Sequence, residues 1–235
     1  MIQLLLFILG SVFASYVYTT VGRSIAKDRK TLFSECNFCH KRLVWYELIP
    51  ILSYFIQAGK CRKCHKTVPI RYLVFEIMFG LVFIFIYLLI NNLIESIGLC
   101  LIFSVLFYIS YYDFITQEIS ELLLVGLFGI ILVFLYFIGN LTILNIYGAF
   151  ISGGIIFLFY YISKEQAMGF GDVELSLVLG FLLGSNLAIK MILLAFILGG
   201  IYGSILLILK LSKLKDRVAF GPFLALSSLI VYLFN

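Results

Sequence analysis

Long apolar runs follow one another along most of this chain, and they constrain its fold more than any other feature. Most of them reach the roughly 20 residues that a helix needs to cross the hydrocarbon of a bilayer. With 63% hydrophobic residues, 12% charged residues and a mean hydropathy of +1.14, the chain is too apolar for a soluble domain. We therefore predict an all-α polytopic membrane protein with about eight transmembrane helices, at 2–19, 72–90, 93–112, 121–138, 142–162, 172–185, 187–209 and 218–234.

The distribution of Lys and Arg predicts how these spans are oriented. Of the seventeen, eleven lie in 20–71, one in 163–171 and four in 210–217, whereas the loops on the other side of the membrane have none. Because basic loops stay in the cytoplasm, these three segments are predicted to be cytoplasmic, together with loop 113–120 on the same side, and both termini to lie outside. The net charge of +5 therefore reports topology. It gives no indication of nucleic-acid binding, whereas the apolar spans imply membrane lipid as a partner.

Two C-x-x-C-H motifs, "CNFCH" at 36–40 and "CRKCH" at 61–65, lie in the first cytoplasmic segment. Each has the form of a c-type haem attachment site, but haem is attached on the opposite side of the membrane. Cytosolic cysteines also stay reduced, which disfavours disulfides. Two CxxC pairs can instead supply four thiolates to one structural zinc ion. The predicted ligands are Cys36, Cys39, Cys61 and Cys64.

Other interpretations of the two motifs stay open at this stage. The cysteines could form a redox pair or remain free thiols, and His40 or His65 could replace one cysteine ligand. Zinc is favoured because so short a segment has almost no apolar core, so a metal would supply much of its folding energy. The predicted organisation is a first transmembrane helix (1–19), a cytoplasmic zinc-binding segment (20–71) and a seven-helix membrane domain (72–235).

Two of the four aspartates stand where a predicted span meets the cytoplasm. Asp113 lies at the end of the third span, and Asp172 lies at the start of the sixth, within "GFGD". Carboxylates at such positions are costly and are usually paired or functional. Two that meet in a low-dielectric site can share one proton and act as general acid and base, which is aspartic-protease chemistry. The alternative is that both are ordinary caps at the membrane interface, with Asp172 capping its helix.

The glycines beside Asp172 and the nearby glutamates add to this prediction. Gly169 and Gly171 flank the aspartate, and glycine allows both a bend of the backbone and a close approach by a substrate strand. Loop 113–120 and its edge contain acidic residues and no Lys or Arg, and Glu165 precedes the second motif. We expect an acidic notch that attracts basic peptides, formed with Glu118 and Glu165 and supported by Glu121.

These residues also carry a resemblance to a known family. "GFGD" at 169–172 is similar to the GxGD motif of membrane aspartic proteases. The stretch "CNFCHKRLVWYELIPILSYFIQAGKCRKCHKTVPIRYLVFE" (36–76) resembles the cytoplasmic segment of bacterial type IV prepilin peptidases, and "GS" at 10–11 and "FGPFLAL" at 220–226 also look like that family. The resemblance runs from about residue 8 to 228.

The resemblance implies an eight-span enzyme of the bacterial cytoplasmic membrane, with catalytic aspartates Asp113 and Asp172 facing the cytosol. Such enzymes cleave the short basic leader from type IV prepilins or pseudopilins, typically after a glycine. Many members then N-methylate the new amino terminus with S-adenosylmethionine. The richness of the chain in Ile, Phe, Tyr, Lys and Asn indicates an AT-rich genome. Such a genome is compatible with a single-membrane bacterium that uses the enzyme for competence pseudopilins.

Three positions depart from the family pattern. Ser120 stands where the family commonly has Pro after Ile, Glu174 stands where it often has Lys, and Ala219 stands where a Pro is expected. None of them removes a carboxylate, but Glu174 changes the charge near the second aspartate. The alternatives are another GxGD protease that cuts signal peptides or helices, and a non-enzymatic zinc-anchored scaffold or transporter. The latter would need polar residues at mid-membrane in several helices, and the sequence has few.

Overall fold

The computed structural model of the protein describes residues 1–25, 34–36, 38–39, 41–163, 168–210 and 219–235. Within these ranges the chain is helical apart from loops and two isolated β-bridges. The helices are α1 (Ile2–Ile25), α2 (Leu52–Ile56), α3 (Arg71–Ile90), α4 (Leu93–Thr116), α5 (Glu121–Phe137), α6 (Ile143–Ser163), α7 (Phe170–Ile208) and α8 (Gly221–Leu233).

The helices have the length and composition of a polytopic membrane protein. Five of those described, α1, α3, α4, α6 and α7, are long and apolar enough to cross a bilayer. The helices α5 and α8 are equally apolar but shorter, with 17 and 13 residues. This confirms the predicted fold class. The chain divides into two compact units, Met1–Ser96 and Ile97–Asn235.

In the first unit, α1 and α3 pack closely through glycine. A Cβ on Gly10 would lie 2.8 Å from the carbonyl oxygen of Phe79, and one on Gly80 would lie 2.5 Å from the ring of Phe7. The hydroxyl of Ser11 donates a hydrogen bond of 3.0 Å to the backbone carbonyl of Glu76. Lipid gives two helices no hydrophobic reason to associate, so small residues that allow close packing stabilise such pairs.

Apart from residue 209, the predicted sixth and seventh spans are both contained in α7, which is interrupted at Gly184. This glycine has φ 74° and ψ 172°, a conformation that is essentially confined to glycine. The break falls next to the "SN" at 185–186, where the sequence predicts the turn between the two spans.

Aromatic contacts establish that α7 folds back at this break. The ring of Phe170 lies 5.8 Å from that of Tyr160, and the ring of Phe196 lies 4.9 Å from that of Phe159, the preceding residue of α6. A straight helix, at 1.5 Å per residue, would hold residues 170 and 196 about 39 Å apart. Both can reach the same turn of α6 only if α7 has two arms, one on each side of Gly184.

The first arm of α7 is joined to α6 by small residues and polar contacts. A Cβ on Gly148 would lie 2.4 Å from the carbonyl oxygen of Gly180, so the two backbones are in contact. The hydroxyl of Ser152 donates to the carbonyl of Ser176 at 2.7 Å. The amide of Asn145 donates at 2.9 Å to a carbonyl in the last turn before the break. These contacts fix the depth and rotation of the arm that begins with the "GFGD" motif.

Candidate active site and metal centre

Asp113 lies in the last turn of α4 and is buried, with 5% of its surface exposed. Its Oδ2 accepts a hydrogen bond of 3.2 Å from the backbone N–H of Gly221, the first residue of α8. The chain turns shortly after this aspartate. The N–H of Gln117 donates to the Asp113 carbonyl, and Gln117 itself adopts φ 56°. The carboxylate therefore lies where the C-terminal end of α4 meets the N-terminal end of α8.

Asp172 is the third residue of α7 and is 7% exposed. Its Oδ2 accepts a hydrogen bond of 3.2 Å from the N–H of Gly169, the residue before the helix. A side chain at this position that reaches back to the preceding N–H is a helix-capping contact. Asp172 therefore does cap its helix, as the alternative interpretation of the sequence proposes. This contact uses only the Oδ2 oxygen of the carboxylate.

The structure brings the two aspartates together. They are near enough for the charge of Asp113 to act directly on Asp172. The side chain of Ile119, in the loop between α4 and α5, lies beside the glycines next to both aspartates. A Cβ on Gly171 would lie 2.9 Å from the Ile119 Cβ, and one on Gly221 would lie 3.6 Å from its Cδ1. Ile119 thus packs against the starts of both α7 and α8.

The two glycines of the motif have different environments. Neither is among the described residues with positive φ, so their backbone conformations do not themselves demand glycine. Gly171 has no space for a side chain, since a Cβ would press on Ile119. Gly169 has space, because the nearest atom to its Cβ would be the Asp172 Oδ2 at 3.9 Å, and the residue is exposed. A peptide backbone can therefore approach at Gly169.

Gly221 is a site residue that the sequence analysis did not identify. It donates the hydrogen bond to Asp113, and a Cβ at this position would lie 2.7 Å from the Asp113 Oδ2. The only signal in the sequence is "FGPFLAL", which resembles the family but gives no hint of its partner, 108 residues away. The role of Gly221 is to let the start of α8 touch the first carboxylate.

The glutamates expected to form an acidic notch are only partly described. Glu118 and Glu121 are exposed, on either side of the Ile119 loop. Glu121 begins α5 and acts electrostatically on Glu174, which lies two residues after Asp172. Glu165 lies outside the described residues. The described acidic groups therefore extend from the buried pair to an exposed rim.

In the first unit, the four predicted metal ligands converge. The Sγ atoms of Cys36, Cys39, Cys61 and Cys64 all lie within 4.8 Å of one another. The distances from Cys36 to Cys64 and from Cys39 to Cys61 are both 3.9 Å. A tetrahedral site with metal–sulfur bonds of about 2.3 Å requires sulfurs about 3.8 Å apart, whereas a disulfide requires about 2.05 Å. The geometry therefore fits a metal ion and not a disulfide.

Each cysteine pair is held in a small hairpin. Antiparallel bridges join Glu35 to Arg42 and Lys60 to Thr67, and they close the first and second hairpins. Each hairpin also has a bond from its first cysteine's N–H to the carbonyl five residues later, at 2.9 Å. The N–H groups of Cys64 and Lys63 point at the Cys61 sulfur and lower the pKa of that thiol to about 6. A thiolate, the form that binds metal, is thereby favoured.

The buried carboxylate of Glu47, between the two hairpins, lies close to a basic residue of each hairpin. The Glu47 side chain is 1% exposed, lies 3.1 Å from the Lys41 ammonium and accepts the N–H of Val44 at 3.1 Å. Arg62 of the second hairpin lies 4.0 Å from the same carboxylate. Burial opposes the charge of Glu47, but the Val44 N–H and Lys41 outweigh it and hold the carboxyl pKa below its usual value. His65 is exposed and is not part of the cysteine cluster, and His40 lies outside the described residues.

Comparison with known proteins adds two domain matches. Residues 8–90 match the bacterial peptidase A24 N-terminal domain, and residues 100–204 match the type IV leader peptidase family. The first match includes the cysteine hairpins, and the second includes Asp113 and Asp172. No solved structure matches the chain.

Three similar proteins agree with these matches. A protein of Bacillus subtilis is 26% identical over 98% of this chain and 94% of its own length. One of Vibrio cholerae is 27% identical over 72% of this chain and 69% of its own. One of Pseudomonas aeruginosa is 25% identical over 86% and 71%. All three are named prepilin leader peptidase/N-methyltransferase.

We expect the purified protein to bind one metal ion per chain through the cysteine cluster. Cys61→Ser should lower the bound metal at least about tenfold, since it removes one of four thiolates and the hydrogen bonds that the N–H groups of Lys63 and Cys64 make to it. The matched control is Cys100→Ser, because Cys100 is buried in α4 and is not part of the cluster. Elemental mass spectrometry gives both the amount and the identity of the metal. Equal metal content in the two variants would contradict the assignment.

Proposed function

Because this chain belongs to the type IV leader peptidase family, we propose that Asp113 and Asp172 are the catalytic pair with which it cleaves the leader from type IV prepilins or pseudopilins. The observation that carries the assignment is the meeting of two buried carboxylates, from helices far apart in sequence, within electrostatic reach of each other. The enzyme is a membrane aspartic endopeptidase.

The pair supplies the proton transfers of peptide hydrolysis. Two negative charges in a water-poor site repel each other, so the carboxylates hold one proton between them. The ionised carboxylate takes a proton from a water molecule as the water attacks the scissile carbonyl. The protonated carboxylate donates to the carbonyl oxygen. When the tetrahedral intermediate breaks down, the carboxyl group that took the proton from water gives it to the leaving nitrogen, and the other carboxylate takes a proton from a hydroxyl of the intermediate. The C–N bond breaks, which releases a carboxylic acid and a new amino terminus and leaves the pair with one proton again.

In each aspartate, one carboxylate oxygen accepts a hydrogen bond from a glycine N–H, and the other oxygen is left for the reaction. Oδ2 of Asp113 is bound by Gly221 and Oδ2 of Asp172 is bound by Gly169. The two bonds fix the rotation of the carboxyl groups and leave Oδ1 of each for water and substrate. The donors belong to the starts of α8 and α7, where the positive end of the helix dipole stabilises a carboxylate.

The acidic rim supports the substrate class. A prepilin presents a short basic leader followed by an apolar helix, so lipid can hold the helix while acidic groups attract the leader. Glu118 and Glu121 are exposed beside the pair, and Glu165 completes the acidic set in the sequence. Glu174, which replaces a commonly basic residue, adds to the negative charge.

The cysteine cluster is assigned to structural zinc. All four positions are occupied by cysteine, which is the donor set of closed zinc sites, and the sulfur spacing fits the ion. When bound, zinc cross-links the two hairpins and supplies much of the folding energy of the segment. The Lys and Arg distribution supports a cytoplasmic position for this segment, with both termini outside the cytoplasmic membrane of a bacterium.

N-methylation of the new amino terminus is the second activity that we propose. It rests on the name of the relatives, which includes an N-methyltransferase, and implies S-adenosylmethionine as the methyl donor. None of the described residues is assigned to the donor. Mass spectrometry of a mature pilin co-expressed with the enzyme reports the cleavage site and the methyl group together, and an unmethylated mature terminus would contradict this activity alone.

We expect Asp113→Asn and Asp172→Asn each to reduce leader cleavage at least about a hundredfold, since each removes one partner of the acid–base pair. The assay follows the size of a co-expressed prepilin. The matched control is Glu95→Gln, at the opposite end of α4 from Asp113. Cleavage at the wild-type rate by either aspartate variant would show that the catalytic assignment is wrong.

Gly221→Ala should slow cleavage by about a hundredfold while leaving the protein folded, because a displacement of about 1 Å in a catalytic group has an effect of this size. The added methyl would lie 2.7 Å from the Asp113 Oδ2 and displace it. Gly203→Ala, in α7, is the control because its Cβ would meet no atom within 4 Å. Cleavage rates and melting temperatures are measured for both variants, and an unimpaired Gly221→Ala would refute the positioning role.

Charge reversal at the rim should weaken processing of basic leaders. We expect Glu118→Lys, Glu121→Lys and Glu165→Lys to raise the prepilin concentration needed for half-maximal cleavage, with less effect on the maximal rate. Glu95→Lys serves as the control for added positive charge. The same variants are tested on a prepilin whose leader lysines are neutralised, where the difference should shrink. Unchanged processing by all three variants would rule out the acidic notch.

A further inference from the structure

The stretch between the two cysteine hairpins is apolar although it lies outside the candidate spans. Residues 48–59, "LIPILSYFIQAG", include no Lys, Arg, Asp or Glu, whereas both hairpins are rich in basic residues. Leu52, Phe55 and Ile56 of α2 are 57%, 66% and 66% exposed. Their spacing of three and four residues places them on one face of the helix. An exposed apolar face of this kind marks a contact surface.

The start of α2 is fixed to α3 by a buried carboxylate. Ile51 adopts φ 64° and ψ −57°, and the N–H of Leu52 donates to the Pro50 carbonyl at 2.6 Å. This is a γ-turn of the strained kind, unusual for a β-branched residue. The N–H of Ile51 donates to the Glu76 Oε2 at 2.7 Å, and Ser15 of α1 also hydrogen-bonds that carboxylate. Glu76 thus holds in place a turn that would not persist without support.

The position of Glu76 along α3 gives the depth of that turn. The 20 residues of α3 rise about 30 Å, which is the thickness of the hydrocarbon core, so Arg71 lies at its boundary. Glu76, five residues further along, lies about 7.5 Å inside. The Tyr72 ring lies 4.2 Å from that of Tyr18, and the Arg71 guanidinium lies 5.9 Å from the Tyr18 ring. Aromatic and basic residues of this kind are typical of the membrane interface.

We infer that α2 is an interfacial helix that contacts the acyl chains of the bilayer through Leu52, Phe55 and Ile56, and that Glu76 is its anchor. A helix lying in the interface buries its apolar face about 5–10 Å into the boundary between headgroups and acyl chains. This range includes the depth that the Ile51–Glu76 bond imposes. The cysteine hairpins on either side of α2 are consequently held at the membrane surface. This site is independent of the aspartate pair.

The single tryptophan of the chain makes the inference testable by fluorescence. Trp45→Phe removes the background signal, and Phe55→Trp then places a reporter on the lipid-facing side of α2. The full chain is reconstituted in phosphatidylcholine vesicles with or without bromine near the headgroup end of the acyl chains. The matched control is Phe38→Trp in the same background, at a position of the first hairpin that is 54% exposed and lies 4.6 Å from the Lys66 ammonium.

Brominated lipid should quench the tryptophan at position 55 at least about twofold, because bromine quenches on contact and α2 lies at acyl-chain depth. The tryptophan at position 38 should be quenched instead by acrylamide in the water. Quenching of position 55 by acrylamide alone would place α2 in water. Quenching by neither agent would place its face against protein. Either result overturns the inference.

Two substitutions test the anchor separately. Glu76→Ala in the Phe55→Trp background removes the acceptor for the Ile51 N–H, so lipid quenching should fall by about half or more as α2 leaves its depth. Glu76→Gln keeps a carbonyl oxygen as acceptor and should retain the quenching. Identical quenching in Glu76→Ala and its parent would show that Glu76 does not anchor α2.

Discussion

A carboxylate among apolar helices is costly unless hydrogen-bond donors reach its oxygens, and the described spans meet this constraint three times in the same way. Glu76 accepts the N–H of Ile51 at a γ-turn, Asp113 accepts that of Gly221 at the start of α8, and Asp172 accepts that of Gly169 just before α7. In each case the donor is a backbone N–H at the start of a helix, where it has no partner within that helix. The buried acids therefore determine where neighbouring segments must turn.

Glycines, which have no side chain, allow these segments to come close to the carboxylates and to neighbouring helices. Gly221 and Gly171 leave space for the Asp113 carboxylate and for Ile119, and Gly148 lets the first arm of α7 lie against α6. In lipid such contacts carry much of the stability, since apolar surface alone does not hold two helices together. The aspartates are thus positioned by helices packed at backbone distance, which is a rigid support for a site whose chemistry depends on the placement of a proton.

Several features of the site could be predicted because their signals are local. Asp113 and Asp172 stand out as acids at the ends of apolar runs, and the four cysteines stand out by their spacing. The short polar pair at 185–186 predicts a turn, and the break at Gly184 adjoins it. Other features have no local signal. A five-residue apolar helix is too short to distinguish from a loop, so the sequence assigned α2 to a polar cytoplasmic segment.

The sequence by itself determined the membrane class, the family and the residue types that carry the chemistry, because these follow from composition, from periods of a few residues and from short motifs. Only the tertiary structure decided that Gly221 touches Asp113, that α7 returns upon itself along α6 and that Glu76 holds the turn before α2. The reason is physical. Each of these facts is a contact between residues distant in the chain, and its geometry depends on helix packing, which no single segment encodes.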